Sequence, residues 1–254
     1  MTRNITVSTD DHVAVIEINR PPANYFDRQL ICEIVNAAGE LHAQDTRAIV
    51  LCSEGKHFCA GANFADGELE GDRSRSSGLL YREAIRLFDA KVPIIAAVQG
   101  SAVGGGLGLA CAADFRVATP SSRFHANFSM LGFHQGFGLS ETLPAIVGAQ
   151  HAMDLLYTSR RIDGQHAFEI GLVDRLVPDA ELRTEALNWA AEIAAAAPLA
   201  VQSIRETLRA PLANRVRVVL ERELDQQQKL WATNDSKIGI AANLAREKAV
   251  FTGQ

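Results

Sequence analysis

Two short stretches of the chain are almost wholly apolar. One is Val92-Pro93-Ile94-Ile95-Ala96-Ala97-Val98; the other, Arg47-Ala48-Ile49-Val50-Leu51-Cys52-Ser53, carries its only charge at the first position. Continuous runs of this length suit strands buried on both faces. Residues 4–8 and 12–19 alternate or run apolar around Thr9-Asp10-Asp11, which predicts a hairpin. Successive prolines make Arg20-Pro21-Pro22-Ala23-Asn24-Tyr25 an extended loop. Leu30, Ile31, Ile34, Val35, Ala38 and Leu41 share one face of a helix over 27–43. Residues 66–78 are polar and irregular, 79–90 return to helix, and 114–117 and 122–125 read as two short strands. From Leu139 onward the pattern is helical, with helices at 164–170, 179–197, 198–209, 210–231 and 236–251 and breaks at Pro198 and Pro211. The recurrence of strand and helix at similar spacing points to repeated β-β-α units in an α/β fold, without strong self-similarity of sequence. It divides the chain into a core over 1–197 and a helical region over 198–254.

The stretch after the second strand carries the first sign of chemistry. Gln99-Gly100-Ser101-Ala102-Val103-Gly104-Gly105-Gly106-Leu107-Gly108-Leu109-Ala110-Cys111-Ala112-Ala113-Asp114 reads as a glycine turn opening a tightly packed helix. Such a turn aims unsatisfied N–H groups and the positive end of a helix dipole at whatever lies in front of it, and can hold an anion or an oxygen that becomes one. It is not a dinucleotide fingerprint, because the sixth position from Gly104 is Leu109 and from Gly106 is Cys111, and no lysine follows to make a P-loop.

Composition narrows the field. The 254 residues carry a net charge of −5, which leaves no basic footprint for nucleic acid. No apolar run is long enough to span a bilayer and no signal-peptide core begins the chain, so a soluble cytoplasmic protein is expected. Cys32, Cys52, Cys59 and Cys111 form no Cys-x-x-Cys pair and read as reduced core thiols, with no metal site expected. Cys59, beside an Ala-Gly turn, is the one candidate for a reactive thiol.

A second turn brings a resemblance. Phe58-Cys59-Ala60-Gly61-Ala62-Asn63-Phe64 resembles the Phe-Ser-Ala-Gly-Ala-Asp-Leu element of the crotonase (enoyl-CoA hydratase/isomerase) superfamily. Gln99 to Ala110 is similar to its Asn-Gly-x-Ala-x-Gly-Gly-Gly element, and Gly164-Gln165-His166-Ala167 with Gly171-Leu172-Val173-Asp174 to its Ala-Glu-Ala…Gly-Leu-Val-Asp segment. Order and spacing agree over nearly the whole chain. The resemblance implies a crotonase-like spiral whose helical end packs against neighbouring subunits in a homotrimer or homohexamer. It implies a CoA thioester as substrate and no cofactor beyond that CoA. It places Asn24, Lys56, Ala60, Ala62 and Asn63 along the adenine and pantetheine. It assigns the backbone N–H groups of Ala60 and Gly105, next to Gly104, to an oxyanion hole that stabilises an enolate.

The acid and base of this family are missing. The glutamate that follows the glycine triplet is replaced by Gly108, the second glutamate by Phe128, and an acidic position used by some members falls on Gly136. Syn hydration needs a group to take a proton from water and one to deliver a proton to carbon. His134, then Glu141, are the candidate substitutes; His125, Asp66, Glu68 and Glu70 stand behind them, and Asp114 reads as structural. Phe128, Phe133 and Phe137 make an apolar acyl pocket. Three functions remain open: an enoyl-CoA hydratase or isomerase; a divergent hydrolase, decarboxylase or C–C hydrolase; and an acyl-CoA-binding protein with impaired catalysis. On this reading, Gly108→Glu with Phe128→Glu restores hydration.

Overall fold

The computed structural model describes residues 4–64 and 74–254, so the candidates Asp66, Glu68 and Glu70 lie outside the described residues. The elements in order are β1 (Ile5–Asp10), β2 (Val13–Ile18), α1 (Arg28–His42), β3 (Ala48–Ser53), α2 (Ser74–Phe88), β4 (Ile94–Val98), β5 (Ser101–Val103), α3 (Gly105–Ala112), β6 (Phe115–Ala118) and β7 (Arg123–His125). They continue as α4 (Leu139–Thr158), β8 (Ile162–Asp163), α5 (Gly164–Glu169), β9 (Arg175–Leu176), α6 (Leu182–Ala194), α7 (Pro198–Trp231) and α8 (Asn234–Ala245).

The strands form a larger sheet in the order β1-β2-β3-β4-β6-β9 and a smaller one in the order β5-β7-β8. Strand β1 pairs antiparallel with β2, whereas β2, β3, β4, β6 and β9 run parallel to one another, and β5 runs parallel to β7. Two successive turns of the chain each place one strand in the larger sheet and the next in the smaller one, with a helix between them: β4, β5, α3, then β6, β7. This is the expected spiral of β-β-α units. Strands β3 and β4 are buried along their whole length, as their unbroken apolar runs require.

Three boundaries differ from the sequence pattern. Helix α2 starts at Ser74 rather than 79, because Gly78 is not a turn residue. It is buried against Leu224 of α7, where a Cβ would sit 3.2 Å from the Leu224 side chain. Helix α7 runs unbroken through Pro211. Leu212, Val216 and Leu220 join the main core, and their burial outweighs the hydrogen bond that proline removes. Helix α8 stops at Ala245 instead of 251; the last residues turn back, and the Asp235 carboxylate accepts hydrogen bonds from the Thr252 and Gly253 amides.

Buried ion pairs join the long helix to the spiral. The Asp114 carboxylate accepts the Ile94 amide at 2.8 Å and the Arg205 Nε at 3.0 Å, and lies 3.1 Å from the Arg209 Nε. Arg205 also donates to the Ala90 carbonyl and Arg209 to the Ala112 carbonyl. Asp114 is thus structural, as its position at the end of the glycine helix suggests. A similar lock explains the Gly171–Asp174 motif: Asp174 accepts from the Arg116 amide at 2.7 Å and its guanidinium at 3.0 Å. Asp114→Ala leaves two nearly buried guanidinium groups without their anion, so it is expected to lower stability by about 3–5 kcal/mol, measured by denaturant unfolding; a loss under about 1 kcal/mol would refute this role.

Candidate active site

The two turns singled out in the sequence are side by side. Phe58 N donates to Gln99 O at 2.9 Å and Cys59 N to Ser101 O at 3.0 Å, and Val103 N donates back to Cys59 O at 3.0 Å. This isolated parallel bridge between Cys59 and Ala102 extends the smaller sheet by one strand. Gly61 follows with φ +88°. A side chain there would be strained, and its Cβ would meet Val103 O at 2.8 Å. Gly104 has φ +54° and gives its own amide to His125 O at 2.8 Å. Gly105 is then the first residue of α3, where amides have no intrahelical acceptor.

The amides on the first turn are not equivalent. Ala60 N donates to Ala23 O at 2.9 Å, so it is already committed and cannot be the oxyanion donor expected of it. Ala62 N, beyond the Gly61 turn, has no hydrogen-bond partner among the described residues. The donor pair that the backbone offers is Ala62 and Gly105.

Both residues line a cavity of about 610 Å³, together with Ala60, Asn63 and Gly104. Its apolar wall includes Phe64, Leu80, Phe128, Leu131, Phe133, Phe137 and Trp231. The Phe133 ring meets those of Phe128 and Trp231 edge-on, with centroids 6.1 and 6.0 Å apart. Arg20, Tyr25, Asp27 and Arg28 form a polar, partly exposed side. There Arg20 pairs with Asp27 at 2.7 Å, and Asp27 also caps α1 by accepting the Leu30 amide.

The sequence model of the enoyl-CoA hydratase/isomerase family matches residues 8–254. The chain belongs to that family. It is 34% identical over 253 residues to a crotonyl-CoA hydratase of Syntrophomonas wolfei subsp. wolfei, covering 98% of this chain and 97% of that protein. It is 30% identical to a short-chain-enoyl-CoA hydratase of Clostridium acetobutylicum, with 96% of each chain covered. The crystal structure of an enoyl-CoA hydratase/isomerase from Pseudoalteromonas atlantica T6c superposes with a TM-score of 0.88 at 28% identity, over 98% of this chain and all of the other.

Gly108, Phe128 and Gly136, where the resemblance expects acids, stand among uncharged groups. A Cβ on Gly108 would lie 2.6 Å from Phe137 Cβ and 2.8 Å from its Cγ. Phe137 is held there at φ +61°, edge-on to Phe26, its centroid 5.8 Å away. A glutamate at 108 has no room, so the double substitution expected to restore hydration does not fit this backbone. Phe128 presents its ring to the cavity. A Cβ on Gly136 would fall 1.9 Å from the Tyr81 hydroxyl and 2.7 Å from Gln227 Nε2.

The proposed substitutes are elsewhere. His134 does not line the cavity; its Nδ1 lies 2.8 Å from Gln135 O. Glu141 stands in the first turn of α4, where its charge suits the helix dipole, and pairs with Arg215 at 2.8 Å. His125 Nε2 bonds to Ser159 O at 2.7 Å, and burial pushes its pKa down. Asn24 is fully buried and clamps the loop: its Nδ2 donates to Glu54 O and His57 O, and its Oδ1 accepts from the Arg20 amide. Lys56 is exposed and does not line the cavity. Cys59 is buried, and desolvation pushes its thiol up to about 12, which excludes a reactive thiolate.

Sequence reasoning missed Tyr81, Asn127, Gln227 and Glu223. Asn127 lies beside Phe128 in the segment 124–132 compared with the family but is given no role there, Tyr81 lies in no recognisable motif, and Gln227 and Glu223 come from a helix that its sequence marks only as peripheral. Glu223 is wholly buried and accepts the Gly138 amide at 2.8 Å and the Ser140 amide at 2.9 Å, which fixes the segment that carries Phe137. Desolvation raises its pKa from 4.5 to about 7 despite those bonds. The folded protein therefore retains a proton that the unfolded chain releases. Stability is expected to fall as pH rises from about 4.5 to about 7 and to level off above. Glu223→Gln removes this slope, so thermal unfolding across pH should show the variant gaining on the wild type over that window; parallel profiles would overturn the assignment.

Proposed function

We propose that the chain binds an acyl-CoA thioester and stabilises its enolate, or a tetrahedral oxyanion, between the amides of Ala62 and Gly105. The observation that carries this reading is the Cys59–Ala102 bridge, which sets an uncommitted amide on one turn beside a helix-start amide on the other, both facing one cavity. Donors fixed before reaction need no reorganisation as charge develops, and each contributes about 3–4 kcal/mol in comparable sites. The thioester oxygen accepts from both. CoA then runs along the 60–63 turn toward the partly exposed side that carries Arg20 and Arg28. The aromatic wall takes the acyl group and excludes water, which strengthens the polarising bonds.

Ordinary hydration is not what this site is built for. Addition of water requires one carboxylate to accept its proton and another to deliver one to the α carbon. Phe128 supplies neither, and Gly108 and Gly136 have neighbours where carboxylates would go. Among the described residues of the aromatic side, the only titratable side chain is Tyr81. Burial, and the nearby Glu223 carboxylate, push its pKa well up, so its hydroxyl stays protonated and makes a poor base. The closed acid positions favour a second reading as well, a divergent hydrolase or decarboxylase or a binding protein with impaired catalysis. The exposed Leu199, Ile204 and Leu208 of α7 support assembly into a homotrimer or a pair of trimers.

Titration calorimetry with CoA and a series of acyl-CoAs is expected to show binding; absence of both heat and thermal stabilisation with every ligand would remove the reading. Crotonyl-CoA hydration is expected to be at least ~100-fold slower than that of an ordinary hydratase, since each missing acid or base is worth about 10²–10⁴ in rate. A rate equal to the ordinary enzyme would show that another group supplies both protons. Light scattering is expected to give a trimer or hexamer of the 27.5 kDa chain, and a stable monomer would count against the assembly.

A further inference from the structure

The aromatic side of the cavity contains hydrogen-bonding groups that enolate stabilisation does not use. Asn127 is only 8% exposed, yet its side chain has no hydrogen-bond partner among the described residues and lines the cavity. Its Oδ1 packs against Gly104, 3.0 Å from where a Cβ would be, so the carboxamide lies beside the turn that presents the Gly105 amide. Its backbone is fixed, because Asn127 O accepts the Leu131 amide at 3.2 Å. The carboxamide shares the cavity wall with Phe128, Leu131 and Phe133, so a group that fills the cavity takes away its solvent unless it bonds the amide.

A second polar point shares the cavity. The Tyr81 hydroxyl donates to Gln227 Oε1 at 2.6 Å, and Gln227 Nε2 donates to His134 O at 2.9 Å. With its proton so directed, the phenol oxygen keeps a lone pair to accept with, and Gln227 keeps its second N–H to donate. Both points are uncharged. The two cationic side chains on the wall are already engaged, Arg20 with Asp27 and Arg28 with Glu83 at 3.6 Å.

We propose that the acyl pocket selects acyl groups bearing an uncharged oxygen substituent, a hydroxyl or a keto group, held by the Asn127 carboxamide or by the Tyr81–Gln227 pair. The inference rests on the reading of this cavity as an acyl-CoA site. A plain hydrocarbon acyl group strips water from these polar groups and returns nothing. A site built to bond an oxygen discriminates strongly against the analogue that lacks it. An acyl carboxylate meets no free cation among the described residues of the cavity wall. Of uncharged functions, hydroxyl and keto oxygens fit both points: the Asn127 amide and the Gln227 N–H donate to either, and the Tyr81 oxygen accepts from a hydroxyl.

The test is calorimetric titration of the full chain with CoA and two matched series. The first is butyryl-, 3-hydroxybutyryl- and 3-oxobutyryl-CoA. The second is benzoyl-, 3-hydroxybenzoyl- and 4-hydroxybenzoyl-CoA. Succinyl-CoA serves as the charged control. At least one oxygenated member should bind ten-fold or more tighter than its unsubstituted partner, and succinyl-CoA no tighter than butyryl-CoA. Asn127→Leu, of similar shape, or Tyr81→Phe should shrink that preference to under about three-fold, while butyryl-CoA binding is retained or tightened. The Tyr81 variant keeps the test open if the Asn127 variant does not fold. If CoA and butyryl-CoA bind but no oxygenated member is preferred, or if the preference survives both substitutions, this inference fails and the acyl-CoA reading stands. If nothing binds, the acyl-CoA reading fails first.

Discussion

The site depends on three backbone hydrogen bonds. Phe58, Cys59 and Val103 tie two turns, about forty residues apart in the chain, into one short stretch of parallel ladder. The bridge needs no particular side chain. It needs glycines, because Gly61 turns at positive φ against Val103 O and a Cβ on Gly106 would come 2.2 Å from Cys59 O. Ala62 and Gly105, one on each turn, both line the cavity. Asn24 secures the arrangement from behind: it holds the loop whose Ala23 carbonyl takes up the Ala60 amide. The commitment of the Ala60 amide on the first turn thus follows from a loop far away in sequence.

The helical end does more than cover the spiral. Arg205 and Arg209 reach Asp114 at the end of the glycine helix. Glu223 caps the start of α4, Gln227 closes the space at Gly136, and Trp231 joins the aromatic wall. Successive turns of one helix therefore anchor the core, fix the segment that carries Phe137 and line the cavity. Packing of Leu212, Val216 and Leu220 keeps that helix continuous through Pro211 and so keeps these groups in register.

Within this frame Gly108, Phe128 and Gly136 belong to a closely fitted, uncharged surface. Phe137 fills the space beside Gly108, Phe128 exposes its ring, and Tyr81 with Gln227 stands at Gly136. Each of these groups is neutral, and their close fit means that a carboxylate placed at 108 or 136 requires moving its neighbour. The polar groups on this wall, Tyr81, Asn127 and Gln227, are uncharged.

The sequence by itself determined the family, the spiral and the two turns, because these rest on local properties: buried apolar runs for the central strands, glycines where backbones touch, and motif order along the chain. Where the resemblance expects acids, the sequence has Gly108, Phe128 and Gly136. It read the roles of individual groups less well. Ala60 and Ala62 look alike in the turn, and only the Ala23 carbonyl, brought there by tertiary contact, distinguishes a committed amide from an uncommitted one. His134 and Glu141 lie near the right positions in sequence, yet the chain turns them toward Gln135 and Arg215. Tyr81, Asn127, Gln227 and Glu223 come from three separate segments and meet only in the folded protein. Side chains acquire partners, burial and shifted pKa values from neighbours that are distant along the chain, and those neighbours exist only once the spiral and its long helix have packed together.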